Sequence, residues 1–182
     1  MTWALVAGGA QCVWEDMARA EAMLGKPDIL VGVKDIWMEM RVDHFCTFHA
    51  DRIKKELATR RKRGLPDPSA IWTNSAVKIP PIPEIEIKYL NLRGGSSGLL
   101  GVMVALRNAD KVVLCGIPMN PEMRHYHQRK HGKPWREGKL YLAHWQQHLP
   151  TLRGRVKSMS GNTKEMLGYP TREWVYGTAD QN

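Results

Sequence analysis

Residues 94–117 read GGSSGLLGVMVALRNADKVVLCGI. The run KVVLCGI, residues 111–117, is apolar along its length rather than alternating. That is the pattern of a strand covered on both faces of a parallel sheet. Ahead of it, a turn with three glycines and two serines opens a helix of small residues. A glycine-rich turn, a helix and a buried strand in that order form one unit of an α/β protein.

The same order extends outward. TWALVAGGA is an apolar run ending in two glycines, a strand that enters a tight turn. Val13, Met17, Ala20 and Leu24 then recur at helical spacing, and Gly25, Lys26 and Pro27 stop that helix. DILVGVK at 28–34, DHFCTFHA at 43–50 and IWTN at 71–74 supply further strands, with a basic helix at about 51–62. Pro80, Pro81 and Pro83 exclude a central strand there and leave a connection, followed by a strand at 85–89. After residue 117 the pattern predicts a basic loop over 118–134 and a helix over about 135–149 with Pro150 as its stop. RVKSMSG is a last strand, and NTKEMLG a short helix capped by Asn162. The expectation is a single Rossmann-like α/β domain over residues 1–182, with three layers and a mostly parallel sheet.

Composition narrows the class. A hydrophobic fraction of 43% excludes whole-chain disorder. No apolar run approaches the roughly 18 residues of a membrane span, and MTWALVAGGA lacks the basic start of a signal peptide. Cys12, Cys46 and Cys115 are odd in number and widely spaced, which fits neither a disulfide framework nor a CxxC metal site. A cytoplasmic protein without membrane contact is expected. The net charge of +9 admits a nucleic acid, an anionic small molecule or an acidic partner, or simply a solvated basic surface. The basic helix at 52–63 contains no aromatic residue for base stacking, so nucleic acid is not expected. Trp14, Trp37, Trp135 and Trp145 are read as core or inter-subunit packing, which leaves a homo-oligomer open.

In open α/β sheets ligands sit beyond the carboxyl ends of the strands, so the turns there are the candidate sites. Gly8, Gly9 and Gln11 follow the first strand, where glycines let the backbone approach a phosphate or serve as a plain tight turn. Gly95, Ser96, Ser97 and Gly98 bring backbone donors and hydroxyls to a helix N-terminus, a place that favours an anion. Asp35 after the second strand could hold a ribose or form a surface turn. His49 lies near the carboxyl end of the third strand. Arg124, His125 and His127 follow the strongest strand; guanidinium and imidazole suit phosphate, and a solvated loop is the alternative. Ser158, Ser160 and Thr163 offer hydroxyls after the last strand, or a helix cap. No spacing of ligands marks a metal.

GGSSGLLGVMVALRNADKVVLCGIPM resembles the motif S region of sialyltransferases, and LVAGGA with DILVGVKD resembles their motif L. The same layout resembles small phage and prophage proteins of unassigned function, over nearly the whole chain including SMSGNTKEMLG. It is also similar to the Rossmann-like 6-hydroxymethylpterin pyrophosphokinases. The resemblance implies that Gly8 and Gly9 approach a nucleotide phosphate, and that Ser96, Ser97 and Gly98 hold the cytidine or phosphate end of a donor. The sialyltransferase motif with His four residues before Glu is absent: no histidine here has Glu at that offset.

The expected function is nucleotide or nucleotide-sugar binding, with a glycosyltransferase using a CMP-sugar-type donor as the reaction implied. In that reaction Arg124, His125 and His127 would meet the charge on the departing phosphate, and His49 would serve as base. No cofactor is then required. The rival is a non-enzymatic phage protein that uses the fold for assembly or host interaction, with Arg60, Arg61 and Arg63 at an interface. A third reading, a pterin or nucleoside phosphotransferase, would require magnesium, for which Asp35 and Asp110 are the candidate ligands.

Overall fold

The computed structural model describes residues 1–76, 78–120, 122–123 and 138–177. Among them seven strands form one sheet: β1 (Trp3–Ala7), β2 (Ile29–Val33), β3 (His44–Cys46), β4 (Ala70–Asn74), β5 (Glu86–Leu90), β6 (Lys111–Cys115) and β7 (Val156–Ser158). The order is β5-β4-β3-β2-β1-β6-β7 and every pairing is parallel. Among the described residues six α-helices accompany it: α1 (Val13–Leu24), α2 (Ala50–Lys62), α3 (Ser97–Asn108), α4 (Gly138–Leu152), α5 (Gly161–Leu167) and α6 (Arg172–Tyr176). A 3-10 turn at Lys34–Met38 follows β2. The result is a Rossmann-like, three-layer α/β fold, parallel throughout rather than mostly. Among the described residues no helix is long and apolar enough to cross a membrane.

The apolar strands are divided by the period of two. Ala4 and Val6 of β1 face α3 and α4, where they join Val31, Val33, Leu100 and Trp145 in one core. Leu5 and Ala7 face α1, where they join Val13, Met17, Ala20 and Val113. A third core lies under α2, where Ile53 and Leu57 cover Phe45 and Ile71. Gly101 sets the height of α3 above the sheet. A Cβ there would lie 2.7 Å from Val33 Cγ2 and 3.1 Å from Val6 Cγ1.

Several local expectations change. Pro150 lies inside α4 instead of ending it. The extra turn carries Leu152 into full burial, which offsets the backbone bond that proline cannot make. The cap position of α5 is Ser160, while the Asn162 amide donates to Met119 O at 3.0 Å. Trp37 and Trp145 are buried, but Trp14 is 45% exposed; Trp135 lies outside the described residues.

The basic helix is not a solvated face throughout. Arg60 is fully buried, and its guanidinium donates to the carbonyl oxygens of Trp37, Met40 and Pro66. It also lies over the Trp37 ring, 5.6 Å from the centroid. Arg61 pairs with Asp67, and Arg63 with Glu39. Arg60 is therefore a packing residue, and reversing its charge would break the fold before it tested an interface.

Gly101→Val should overpack the contact between α3 and β1–β2. We expect a loss of about 1–3 kcal/mol in urea unfolding with little change in m-value.

Candidate functional site

The strand order places β2 to β5 on one flank of β1, and β6 and β7 on the other. The connection through α3 crosses the sheet, so the winding reverses between β1 and β6. In parallel α/β sheets, ligands are expected beyond the carboxyl ends of the two strands at such a reversal.

The turns at this point are held by direct contact. Gly8 N donates to Cys115 O at 2.8 Å and Ala10 N to Gly116 O at 3.1 Å. A Cβ on Gly8 would run into Ile117 Cγ1 and lie 2.5 Å from Gly116 O, so glycine is required for the two turns to touch. Ile117 also packs on the first turn of α3, where a Cβ on Gly98 would lie 3.2 Å from Ile117 Cγ2. One isoleucine thus joins the β1 turn, the β6 turn and the N-terminus of α3. Of the glycine-turn residues, Gly8 and Gly98 lie against it; Gln11 is exposed and Gly9 half-buried.

Beside this joint sits a buried carboxylate. Asp16, fully buried in the first turn of α1, accepts from Gly116 N (3.0 Å) and Ser160 Oγ (2.6 Å) on Oδ2, and from Arg19 Nη2 (2.8 Å) on Oδ1. It ties α1 to the turns after both β6 and β7. Cys12 Sγ lies 3.4 Å from Ser160 Oγ. Burial, reinforced by Asp16, pushes the Cys12 thiol up to about 11, so it is a neutral thiol near pH 7 and not a nucleophile. Thr163 Oγ1 donates to Ile117 O (2.6 Å) and accepts from Ser158 Oγ (2.8 Å). The hydroxyls of Ser158, Ser160 and Thr163 therefore bind the protein itself.

At the mouth of α3 the hydroxyl of Ser96 accepts from Leu99 N and Trp145 Nε1, each at 3.3 Å. Ser96 is the helix cap, while Ser97 and Gly98, both buried, form the first turn. Gly95 N donates to His144 Nδ1 at 2.9 Å, and that ring fills the space where Gly94 has no Cβ. His144 belongs to this loop, although only a 49-residue separation in sequence connects the two.

Asp35 and His49 form a different group, beyond β2 and β3. Arg52 Nη2 bridges Asp35 Oδ1 (2.7 Å) and Glu56 Oε1 (2.9 Å). Trp37 Nε1 donates to Glu56 Oε2 at 2.9 Å. Burial raises the Glu56 carboxyl, partly offset by the Trp37 bond and the Arg52 charge. His49 is exposed at the cap position of α2, with its backbone N–H on Thr47 Oγ1. His49 follows β3, two strands from β1; Asp35 follows β2, the neighbour of β1, and its carboxylate is bound by Arg52. Asp110 bonds Thr2 N (2.8 Å) at the amino-terminal edge of the sheet, opposite Asp35, so the two cannot share a magnesium ion. Among the described residues no three His, Cys, Asp or Glu side chains gather as metal ligands. Arg124, His125 and His127 lie outside the described residues.

Asp16→Ala removes the acceptor of the Gly116 N–H and of the Ser160 hydroxyl. Urea titration should show a loss of about 2–4 kcal/mol. For Glu56 the folded-state pKa is raised, so its contribution to stability is complete below the ordinary carboxylate range near about 4.3 and is lost as pH rises through the raised value. Glu56→Gln keeps an acceptor for Trp37 and removes the titration. The stability of wild type relative to this variant should fall as pH rises from about 4 toward neutrality; a difference constant with pH would show that burial of Glu56 is not uncompensated.

No protein-family model, no curated protein and no solved structure matches this chain.

Proposed function

We propose that the chain binds a nucleotide or nucleotide-sugar in the crevice beyond β1 and β6. The observation that carries this reading is the joint at Ile117. It holds the glycine turn after β1, the turn after β6 and the first turn of α3 together where the winding of the sheet reverses. Such a point in a parallel sheet is the ordinary ligand crevice. The first turn of α3 directs backbone N–H groups and the positive end of its dipole toward the same place, which favours a phosphate. The net charge of +9 adds attraction for an anion.

The reaction we attach to this site is glycosyl transfer from a CMP-sugar-type donor, in line with the motif S and motif L likeness. Departure of the sugar leaves charge on the nucleotide phosphate, which fixed donors must meet. The chain continues from the β6 turn into Arg124, His125 and His127, which supply cations and imidazoles in sequence. Gly9 and Gln11, not consumed by core packing, would face the donor from the β1 side.

Thermal shift against CMP, CMP-sugars, UDP-sugars and ATP tests the reading. At about 100 times its dissociation constant a true ligand adds about 2.7 kcal/mol, a rise of roughly 5–10 °C in a chain of this size. Gln11→Glu, at an exposed position, should diminish that rise while leaving the ligand-free Tm unchanged. No rise with any of the four classes would overturn the proposal.

A further inference from the structure

The sheet has two edges, and the chain treats them differently. β7 closes one side with three residues, and the segment after α5 engages it: Ser158 N donates to Gly168 O at 3.0 Å, and Lys157 Nζ to Tyr169 O at 3.0 Å. β5 closes the other side with five residues, in unbroken register with β4 from Glu86 on Ala70 to Leu90 on Asn74. Among the described residues no strand and no further backbone hydrogen bond engages its outer side. Proline, a bulge or an unopposed lysine ordinarily keeps such an edge from pairing. β5 has no proline and no bulge, and its one lysine, Lys88, is paired with Glu86 two residues away (Nζ to Oε2, 2.8 Å).

The period of two sorts the side chains of this edge. Glu86 and Lys88 register with Ala70 and Trp72 on the α3 side of the sheet, and Ile87 and Tyr89 with Ile71 and Thr73 on the α2 side. Tyr89 is 46% exposed. A two-fold axis that extends a sheet from one copy to the next stands perpendicular to it. The two edge strands then run antiparallel, and residues that face each other lie on the same side of the sheet. The axis therefore passes a single residue. At Glu86 or at Lys88 it would set like charges opposite each other, and at Tyr89 it would face both charges with leucines, Leu92 and Leu90. At Ile87 it sets Glu86 opposite Lys88 of the second copy, and Lys88 opposite its Glu86. Facing side chains in such a pair have Cβ atoms about 4.5–5.5 Å apart. Together with the ion pair inside each strand, four charges then alternate around a square. The same register brings Tyr89 opposite Ile85 of the second copy, an aromatic on a β-branched residue.

We propose that two copies of this chain join through β5, antiparallel about Ile87, into one sheet continuous through both. The run Glu86-Ile87-Lys88 is complementary to its own reverse, and it lies on the edge that nothing engages. A strand added parallel and in register would face Glu86 with a glutamate, so the charges select the antiparallel, closed arrangement. β4, β3 and β2 separate this edge from β1, so the proposal stands or falls independently of the nucleotide reading.

Multi-angle light scattering over a dilution series tests this on the full chain. We expect a wild-type dimer that dissociates on dilution. Glu86→Lys and Lys88→Glu should each weaken it by roughly tenfold or more, because each gathers four like charges around the axis. Glu86→Lys combined with Lys88→Glu should restore the dimer. The two single variants, mixed, should form a heterodimer, since one brings only ammonium groups and the other only carboxylates. An effect confined to one chain cannot produce that rescue. Circular dichroism melts confirm that each variant is folded. The proposal is overturned if the wild type is a monomer throughout, including one that takes up an extended peptide on this edge. It is also overturned if either single variant dimerises as wild type, or if neither the double exchange nor the mixture restores the dimer.

Discussion

Much of the architecture at the carboxyl ends of β1, β6 and β7 depends on one buried carboxylate. Asp16 sits at the start of α1, yet two of its three partners come from turns 100 and 144 residues away. By accepting the Gly116 N–H and the Ser160 hydroxyl it decides how the turns after β6 and β7 meet the helix after β1. Arg19 supplies the compensating charge from the next turn of the same helix. The surrounding contacts are short and permit little adjustment. Gly116 packs on Val13, Gly8 on Ile117, and Gly161 on Pro118, each with no room for a Cβ. The carboxylate fixes the direction of the turns, and the missing side chains let them close.

The sheet was legible in the sequence because its strands are buried on both faces. Runs such as LVA, ILVGV and KVVLC have no alternation to confuse with a helix and are bounded by glycine, proline or charge. The site was legible only at its glycines. Asp16 looks like any acidic residue in a helix's first turn, and nothing local says that its partners arrive from the far half of the chain. His144 is invisible for the same reason: it meets Gly95 only once α4 is laid across the loop before α3. Arg60 misleads in the other direction. In a run of basic residues it reads as surface, whereas its neighbours Arg61 and Arg63 are the ones that remain at the surface. The difference comes from the carbonyl oxygens of Trp37, Met40 and Pro66, which turn inward and need donors.

The two groups of polar residues serve unlike ends. Around Ile117 the hydroxyls and the carboxylate are spent on the protein. Around Asp35 the charges compensate one another through Arg52, and burial raises the Glu56 carboxyl. Asp35 and Glu56 in that second group are both held by Arg52.

The register of β1 with β6 has a consequence for biosynthesis. Trp3 pairs with Lys111, and Ala7 with Cys115, so the centre of the sheet joins residues more than a hundred positions apart. As the chain leaves the ribosome, β1 can pair with β2 within about 30 residues but must wait for β6 with its other edge open. Until then the interior of the sheet is an unprotected strand edge, able to template non-native association. Loop closure over that span also makes folding slow compared with a helical protein of equal size. The strand that becomes the most sheltered part of the native molecule is, during synthesis, its most vulnerable one.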